Sequence, residues 1–298
     1  MRPFLLLCVS VMLTINVTAQ LFDKLIPVKN AVVTAWHSAG HQQRAASITG
    51  RVEKAITWHE QQLGFRPTVT LLILGPADWT TYTKSGAVYG MPHYTNDKTL
   101  IVAAEDNAFW KSFIPPMDQL PAPLREQVSR VYKTGDSISM QGFFDLLAIH
   151  ELAHAFHLQD SLSMQRKWMG ELFANIFLHT YIAENEPGSL PALTLFPEMV
   201  VASGTKGFQY TSLSDVHERY GEIAQRHPRN YGWYQCRWHA AAAAIYTAGG
   251  KKVCKELWNA LKMKKEIRTD NALADFLAIN VDKSLSDLIR NWDRDTVK

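Results

Sequence analysis

The stretch FFDLLAIHELAHAF, residues 143–156, carries the most information about how this chain folds. It is apolar around its whole circumference, which is typical of a helix buried on every side. Within it, His150 and His154 stand four residues apart, so both imidazoles lie on one helical face and Glu151 lies on the adjoining face. Burying unpaired polar groups is costly. The pattern therefore predicts a metal ion, Zn²⁺, bound by His150 and His154 with Glu151 beside it.

A third ligand is needed, because a catalytic zinc takes three protein ligands and leaves a fourth position open. Glu171 is the predicted third ligand, since it lies on a second apolar segment that follows a turn and can return alongside the first helix. Asn175, one turn later on the same face, is predicted to hydrogen-bond a ligating histidine. Two alternatives stay open: Asp160 could be the third ligand, and His157 could be a surface residue or support a ligand.

The N-terminus has the features of a secretory signal. Arg2 precedes an apolar core at residues 4–13, and Val17-Thr18-Ala19 forms a small-residue cleavage site before Gln20. The apolar core is too short to span a bilayer, and no later segment is long enough. We therefore expect residues 1–19 to be a signal peptide and the protein to be exported, to the periplasm or the medium, without a membrane span.

The composition after residue 19 argues against a polyanionic partner. Only Arg2 is lost from the 31 basic residues, which then nearly balance the 28 acidic ones. Such a balance gives no reason to expect nucleic-acid binding.

Two cysteines, Cys236 and Cys254, remain after the signal peptide. Two interpretations stay open: an oxidising compartment would let them pair, or both are buried free thiols. The sequence does not indicate an oligomeric state.

The order of the predicted elements indicates an α+β fold. Residues 20–135 are predicted to form a small mixed α/β lobe with a short sheet, and residues 136–298 a larger helical lobe with the metal site at the junction. Apolar runs predict strands at 68–74 and 98–104. The other expectations are a largely helical segment at 21–63, a loop or edge strand at 86–92, loops at 112–138 and 185–212, and helices at 140–159, 166–184, 212–226, 231–248, 250–263, 271–278 and 283–294.

His150-Glu151-x-x-His154 followed by Glu171-x-x-x-Asn175 resembles the pattern of the gluzincins. This group of zinc metallopeptidases includes thermolysin, the aminopeptidase-N-type enzymes and smaller peptidase MA-like bacterial proteins. The resemblance extends from the strand near residue 68 to the C-terminus. It implies a thermolysin-like zinc site and the hydrolysis of a peptide or protein substrate, with Glu151 as the general base.

The resemblance also implies a tyrosine that stabilises the oxyanion. Gluzincins of the aminopeptidase type place it near the start of a later helix rich in small residues. Tyr234, which precedes the run Ala240 to Ala244, is the predicted donor, and Tyr231 is the alternative.

The family pattern also bears on the kind of peptidase. Aminopeptidase-N-type enzymes carry an acidic Gly-x-Met-Glu-Asn segment that binds a free amine, whereas residues 89–93 here are Tyr-Gly-Met-Pro-His. The missing acid favours an endopeptidase, which could bind an extended peptide along an edge strand. The alternative function is a catalytically inactive metallopeptidase-fold protein that serves as a binding or scaffold protein.

Overall fold

The structure is a computed structural model that describes residues 22–263 and 266–294. The predicted signal peptide, residues 1–19, lies outside the described residues. Across the two described ranges, no helix is both long enough and apolar enough to cross a bilayer.

A five-stranded mixed sheet forms the N-terminal part of the fold. Its three central strands run parallel, and the strand at each edge is antiparallel to its neighbour. Of the central strands, the two at Thr70–Leu74 and Thr99–Ala103 are strongly apolar and buried, because helices cover the sheet. In spatial order the strands are β1 (Ile26–Pro27), β2 (Thr34–His37), β3 (Thr70–Leu74), β5 (Thr99–Ala103) and β4 (His93–Tyr94).

The first long helix, α1 (Gln42–Leu63), connects β2 to the parallel strand β3. It ends at Gly64, whose φ of 69° is the left-handed conformation that favours glycine at a helix terminus. The prediction of a largely helical segment from residue 21 is wrong for its first half. Residues 34–37 pair with the central strand β3, and this non-local pairing outweighs local propensity.

The remainder of the chain is largely helical, so the predicted α+β class is confirmed. A short hairpin of β6 (Lys133–Thr134) and β7 (Ser137–Ile138) precedes the main helices. The helices that follow α1 are α2 (Pro76–Tyr82), α3 (Ala108–Lys111), α4 (Ala122–Val131), α5 (Gln141–Gln159), α6 (Lys167–Asn185), α7 (Leu190–Ala202), α8 (Leu213–Arg226), α9 (Pro228–Gly249), α10 (Lys252–Lys262), α11 (Asp270–Asn280) and α12 (Lys283–Asn291).

Two segments predicted as loops contain helices. Residues 112–138 include α4, and residues 185–212 include α7. Pro191 lies in the first turn of α7, where a missing N–H leaves no hydrogen bond unmade. Leu193 and Leu195 are buried, and α7 packs along α9, so this packing offsets the unfavourable Pro197. Residues 86–92, predicted as a loop or an edge strand, form a loop, and the edge strand β4 follows directly after it.

Helix α5 lies at the centre of the molecule. It packs against β4 and β5 on one side and against α6 on another, and Ile149, Leu152 and Phe156 are fully buried. The apolar circumference of residues 143–156 is explained by this position, because every face meets another element.

An ion pair anchors α5 to the N-terminal part of the fold. The Arg44 guanidinium donates to both carboxylate oxygens of Asp145, at 3.0 and 2.5 Å, and to the carbonyl of Ala103 at 3.3 Å. It also lies 5.7 Å from the centre of the Trp110 ring. One side chain thus joins α1, β5 and α5, with the two charged groups mostly shielded from solvent.

Removing this ion pair should destabilise the fold more than removing an exposed one. We expect Asp145→Ala to lower the free energy of unfolding by about 1–3 kcal/mol, because the Arg44 charge loses its partner in a poorly hydrated place. The control is Asp287→Ala, which breaks the exposed Lys283–Asp287 pair of α12 and should cost about 0.5 kcal/mol or less. Urea unfolding measures both, and equal losses would contradict the anchoring role.

Candidate metal centre

Four side chains from α5 and α6 converge at one point. His150 Nε2 lies 3.2 Å from His154 Nε2 and 3.2 Å from Glu171 Oε2. His154 Nε2 lies 3.9 Å from the other oxygen, Oε1, of Glu171. Ligand atoms of His150, Glu151 and His154 also lie within 4.8 Å of one another. The structure therefore brings together the four residues that the sequence singled out.

These separations fit a tetrahedral zinc ion. Zinc binds imidazole nitrogen and carboxylate oxygen at about 2.0–2.2 Å, which places neighbouring ligand atoms about 3.3 Å apart. Two of the three distances among His150, His154 and Glu171 are 3.2 Å, close to that value. Nitrogen and carboxylate oxygen are also the donor types that zinc prefers. The residues present thus suit this metal.

The charge of Glu171 is stabilised by its surroundings. Burial alone would raise the pKa of this carboxyl group, but the charges of His154 and His150 and hydrogen bonds from His150 and Gln235 outweigh burial and lower the pKa below its usual range. The side chain is only 12% exposed. Glu171 is therefore ionised at neutral pH and ready to bind a cation.

The pKa of Glu151 is shifted in the opposite direction. Burial raises the pKa of its carboxyl group to about 7, and the negative charge of Glu171 adds to the rise. His150 and a hydrogen bond from the backbone N–H of Tyr94 oppose it. A carboxylate whose pKa lies near neutrality can both take up and release a proton at physiological pH.

His157 supports His154 through a ring-to-ring hydrogen bond. The Nδ1 of His154 lies 2.9 Å from Nε2 of His157. Burial and the neighbouring His154 lower the pKa of His157 to about 3, so its ring is neutral and can accept a hydrogen bond. If His154 binds metal through Nε2, its Nδ1–H donates to His157 and fixes the tautomer.

Asn175 lies beside His150, but its hydrogen bonds differ from those predicted. Its Nδ2 donates to the backbone carbonyl of Glu171 at 2.9 Å. Among the described residues, neither Asn175 Oδ1 nor His150 Nδ1 has a hydrogen-bond partner. The hydrogen bond predicted from Asn175 to a ligating histidine is therefore not formed to His150. Burial lowers the pKa of His150, yet Glu171 and Glu151 raise it overall.

Three further polar residues, Tyr220, Tyr231 and Gln235, lie around Glu171. No sequence pattern indicated a role for Tyr220 or Gln235. Tyr220 Oη donates to Glu171 Oε1 at 2.7 Å, and Gln235 Nε2 donates to Glu171 Oε2 at 3.0 Å. Tyr231 Oη lies 2.8 Å from Tyr220 Oη and 2.7 Å from Gln235 Nε2. Tyr231 and Gln235 are one turn apart on α9, but only the packing of α8 and α9 against α6 brings them here.

Tyr234 is not part of this cluster, which corrects its prediction as the oxyanion donor. Its hydroxyl donates to the backbone carbonyl of Ser212 at 2.8 Å. Its ring is fully buried and stacks on Trp238 and Trp292. The two tyrosines of α9 project in different directions, and Tyr231, the alternative, is the one near Glu171.

The remaining sequence alternatives also have clear positions. The Asp160 carboxylate pairs with Lys262 Nζ at 2.5 Å at the end of α5, rather than with the histidines. Cys236 and Cys254 are both buried and free. Burial raises the pKa of each thiol to about 12, so neither is a thiolate at neutral pH.

Comparison with protein-family models, with curated proteins and with solved structures found no match to this chain. The gluzincin resemblance therefore remains a prediction from the sequence. The functional interpretation depends on the geometry of the cluster.

The hydrogen bond between the two histidines predicts an effect on metal affinity. We expect His157→Leu to weaken zinc binding by about 10–100-fold, because His154 loses the acceptor that fixes its tautomer. His157→Gln keeps a side-chain acceptor and should weaken it less. Competition with a fluorescent zinc chelator measures the affinities. Equal affinity in the wild type and His157→Leu would contradict this role.

Proposed function

We propose that this protein is an exported, zinc-dependent peptidase that hydrolyses peptide bonds and acts as an endopeptidase. One observation carries the proposal: His150 Nε2 lies 3.2 Å from both His154 Nε2 and Glu171 Oε2, and the Glu151 carboxylate lies beside them. Zinc bound there would lower the pKa of a water ligand toward ~7 and polarise the scissile carbonyl. The residues of the chain supply the proton transfers and the positioning.

Glu151 is the proposed general base. Its carboxylate takes the proton of the attacking water and then passes it to the leaving amine. The backbone of Tyr94 lies near this carboxylate and favours its ionised form. The place of Glu151 beside the proposed metal ligands lets one group serve both steps.

The position of Glu151 also suggests where the substrate lies. Tyr94 belongs to β4, an edge strand whose other side is paired with β5. An extended peptide could add to this edge through main-chain hydrogen bonds, which would bring its carbonyl groups past Glu151. Pro92 has no N–H, so the pairing would be confined to a short stretch. A cavity of about 350 Å³ reaches the cluster at His154 and Glu171, but neither Glu151 nor Tyr94 lines it.

Tyr231 is the proposed oxyanion donor. Burial raises the pKa of both Tyr231 and Tyr220, so each hydroxyl keeps its proton. Tyr220 donates to the charged Glu171, whereas the bond between the two tyrosines joins neutral groups. A charge-assisted hydrogen bond is roughly twice as strong as a neutral one. Breaking the hydrogen bond from Tyr231 to Tyr220 therefore costs less free energy than breaking the one from Tyr220 to Glu171. The Tyr231 hydroxyl can turn to a substrate oxygen.

Replacing Glu151 should remove turnover without removing the metal. We expect Glu151→Gln to lower kcat by about 10²–10⁴-fold, the usual contribution of a general base, while zinc content stays at the wild-type level. The assay is cleavage of a degenerate peptide library, with new termini identified by mass spectrometry. Glu126→Gln, at an exposed position on α4, is the control and should behave as wild type.

Two results would contradict this proposal. If zinc-loaded wild-type protein cleaves no peptide of the library, the peptidase function is rejected and a binding or scaffold role is favoured. If Glu151→Gln cleaves as fast as the wild type, another group must be the base.

A pair of substitutions on one helix tests the oxyanion donor. Tyr231→Phe should lower kcat by about 10²–10³-fold, the cost of removing one such donor, with little change in KM. Tyr234→Phe should leave kcat nearly unchanged, since that hydroxyl contacts only the Ser212 carbonyl in this structure. Steady-state kinetics on one library-derived peptide decides between them, and the reverse pattern would return the role to Tyr234.

A further inference from the structure

The amide of Gln235 contacts two parts of the candidate site at once. Its Nε2 lies 3.0 Å from Oε2 of Glu171 and 2.7 Å from Oη of Tyr231. An amide nitrogen has two hydrogens, so it can donate to both acceptors simultaneously. The opposite amide orientation would place an oxygen against the Glu171 carboxylate, which is repulsive.

The direction of every hydrogen bond in this cluster follows from Glu171. An ionised carboxylate only accepts, so Tyr220 and Gln235 must both donate to it. The Tyr220 proton is then used, so Tyr220 Oη accepts from Tyr231 in the bond of 2.8 Å between them. Gln235, Tyr231, Tyr220 and Glu171 thus form a closed ring in which Gln235 donates twice and Glu171 accepts twice.

We infer that Gln235 is a positioning residue that fixes the third zinc ligand, Glu171, and the oxyanion donor, Tyr231, relative to each other. This inference rests on the proposed function. The same amide fixes the oxygen of Glu171 that faces His150 and the hydroxyl oxygen of Tyr231. A shift of either group would therefore be transmitted to the other through one side chain.

The ring also explains how Tyr231 can change partners and remain in place. When a negatively charged substrate oxygen forms, the Tyr231 hydroxyl turns its proton from Tyr220 toward that oxygen. The hydrogen bond from Gln235 to Tyr231 Oη does not use that proton and persists. It also draws electron density from the phenol oxygen, which strengthens Tyr231 as a donor. Tyr220 meanwhile keeps its own bond to Glu171.

The test removes both N–H donors of the Gln235 amide and keeps the size of the side chain. Gln235→Met is unbranched, favours helix and has no N–H to donate. We expect zinc affinity to fall by about 10-fold or more, as for other groups that orient metal ligands. At saturating zinc, kcat for a library-derived peptide should fall by up to about 100-fold with KM nearly constant, because a misplaced donor acts on the transition state. Gln235→Leu is the second variant, should Gln235→Met fold poorly.

Gln209→Met is the matched control. Gln209 is an exposed glutamine whose Nε2 donates to a tyrosine hydroxyl, that of Tyr210, at 2.9 Å, but it has no contact with Glu171. A substitution there should leave zinc affinity and kcat at wild-type values. A change in Gln209→Met as large as in Gln235→Met would overturn the specific role of Gln235.

A double-mutant cycle separates positioning from general disruption. If Gln235 acts on turnover through Tyr231, then Gln235→Met should lower kcat less than about three-fold when Tyr231 is already Phe. Fully additive losses would overturn the inference, as would unchanged zinc affinity in Gln235→Met. Zinc affinity can be measured without turnover, so the two proposals can fail separately. A wild type that binds zinc but cleaves nothing rejects the peptidase function. The effect of Gln235 on the ligand Glu171 is then judged from zinc affinity alone.

Discussion

The buried negative charge of Glu171 is the constraint on which the candidate site depends. A carboxylate that is 12% exposed needs positive or donating partners, because an isolated buried charge is strongly unfavourable. His150 of α5 supplies one of them, and Tyr220 of α8 and Gln235 of α9 supply two more. The packing of three helices, α5, α8 and α9, around α6 therefore stabilises one buried charge.

The N-terminal sheet contributes to the same centre through α5. The pair Arg44–Asp145 fixes this helix against α1 and β5, and the edge strand β4 packs against it with the Tyr94 backbone near Glu151. The proposed general base and the proposed metal ligands thus have different surroundings. Glu151 lies near the sheet, whereas Glu171 is held by hydrogen bonds from α8 and α9, so the cluster lies where the two parts of the fold meet.

Sequence patterns identified those features that are encoded locally. Residues 143–156 gave both the buried helix and its two histidines, because apolar character and the spacing of four are properties of one segment. The roles of Tyr220 and Gln235 could not be predicted, since they come together with Glu171 only through the packing of separate helices. The same holds for β2, which becomes a strand by pairing with β3, and for α7, whose prolines indicated a loop.

Zinc content of the purified protein tests the central claim most directly. The wild type should bind one zinc ion per chain, and Glu171→Ala should lose it or bind it far more weakly while circular dichroism shows an unchanged helical content. Equal zinc in the two proteins would contradict the assignment of Glu171 as a ligand. Zinc in neither protein would contradict the metal site itself, and with it the proposed peptidase.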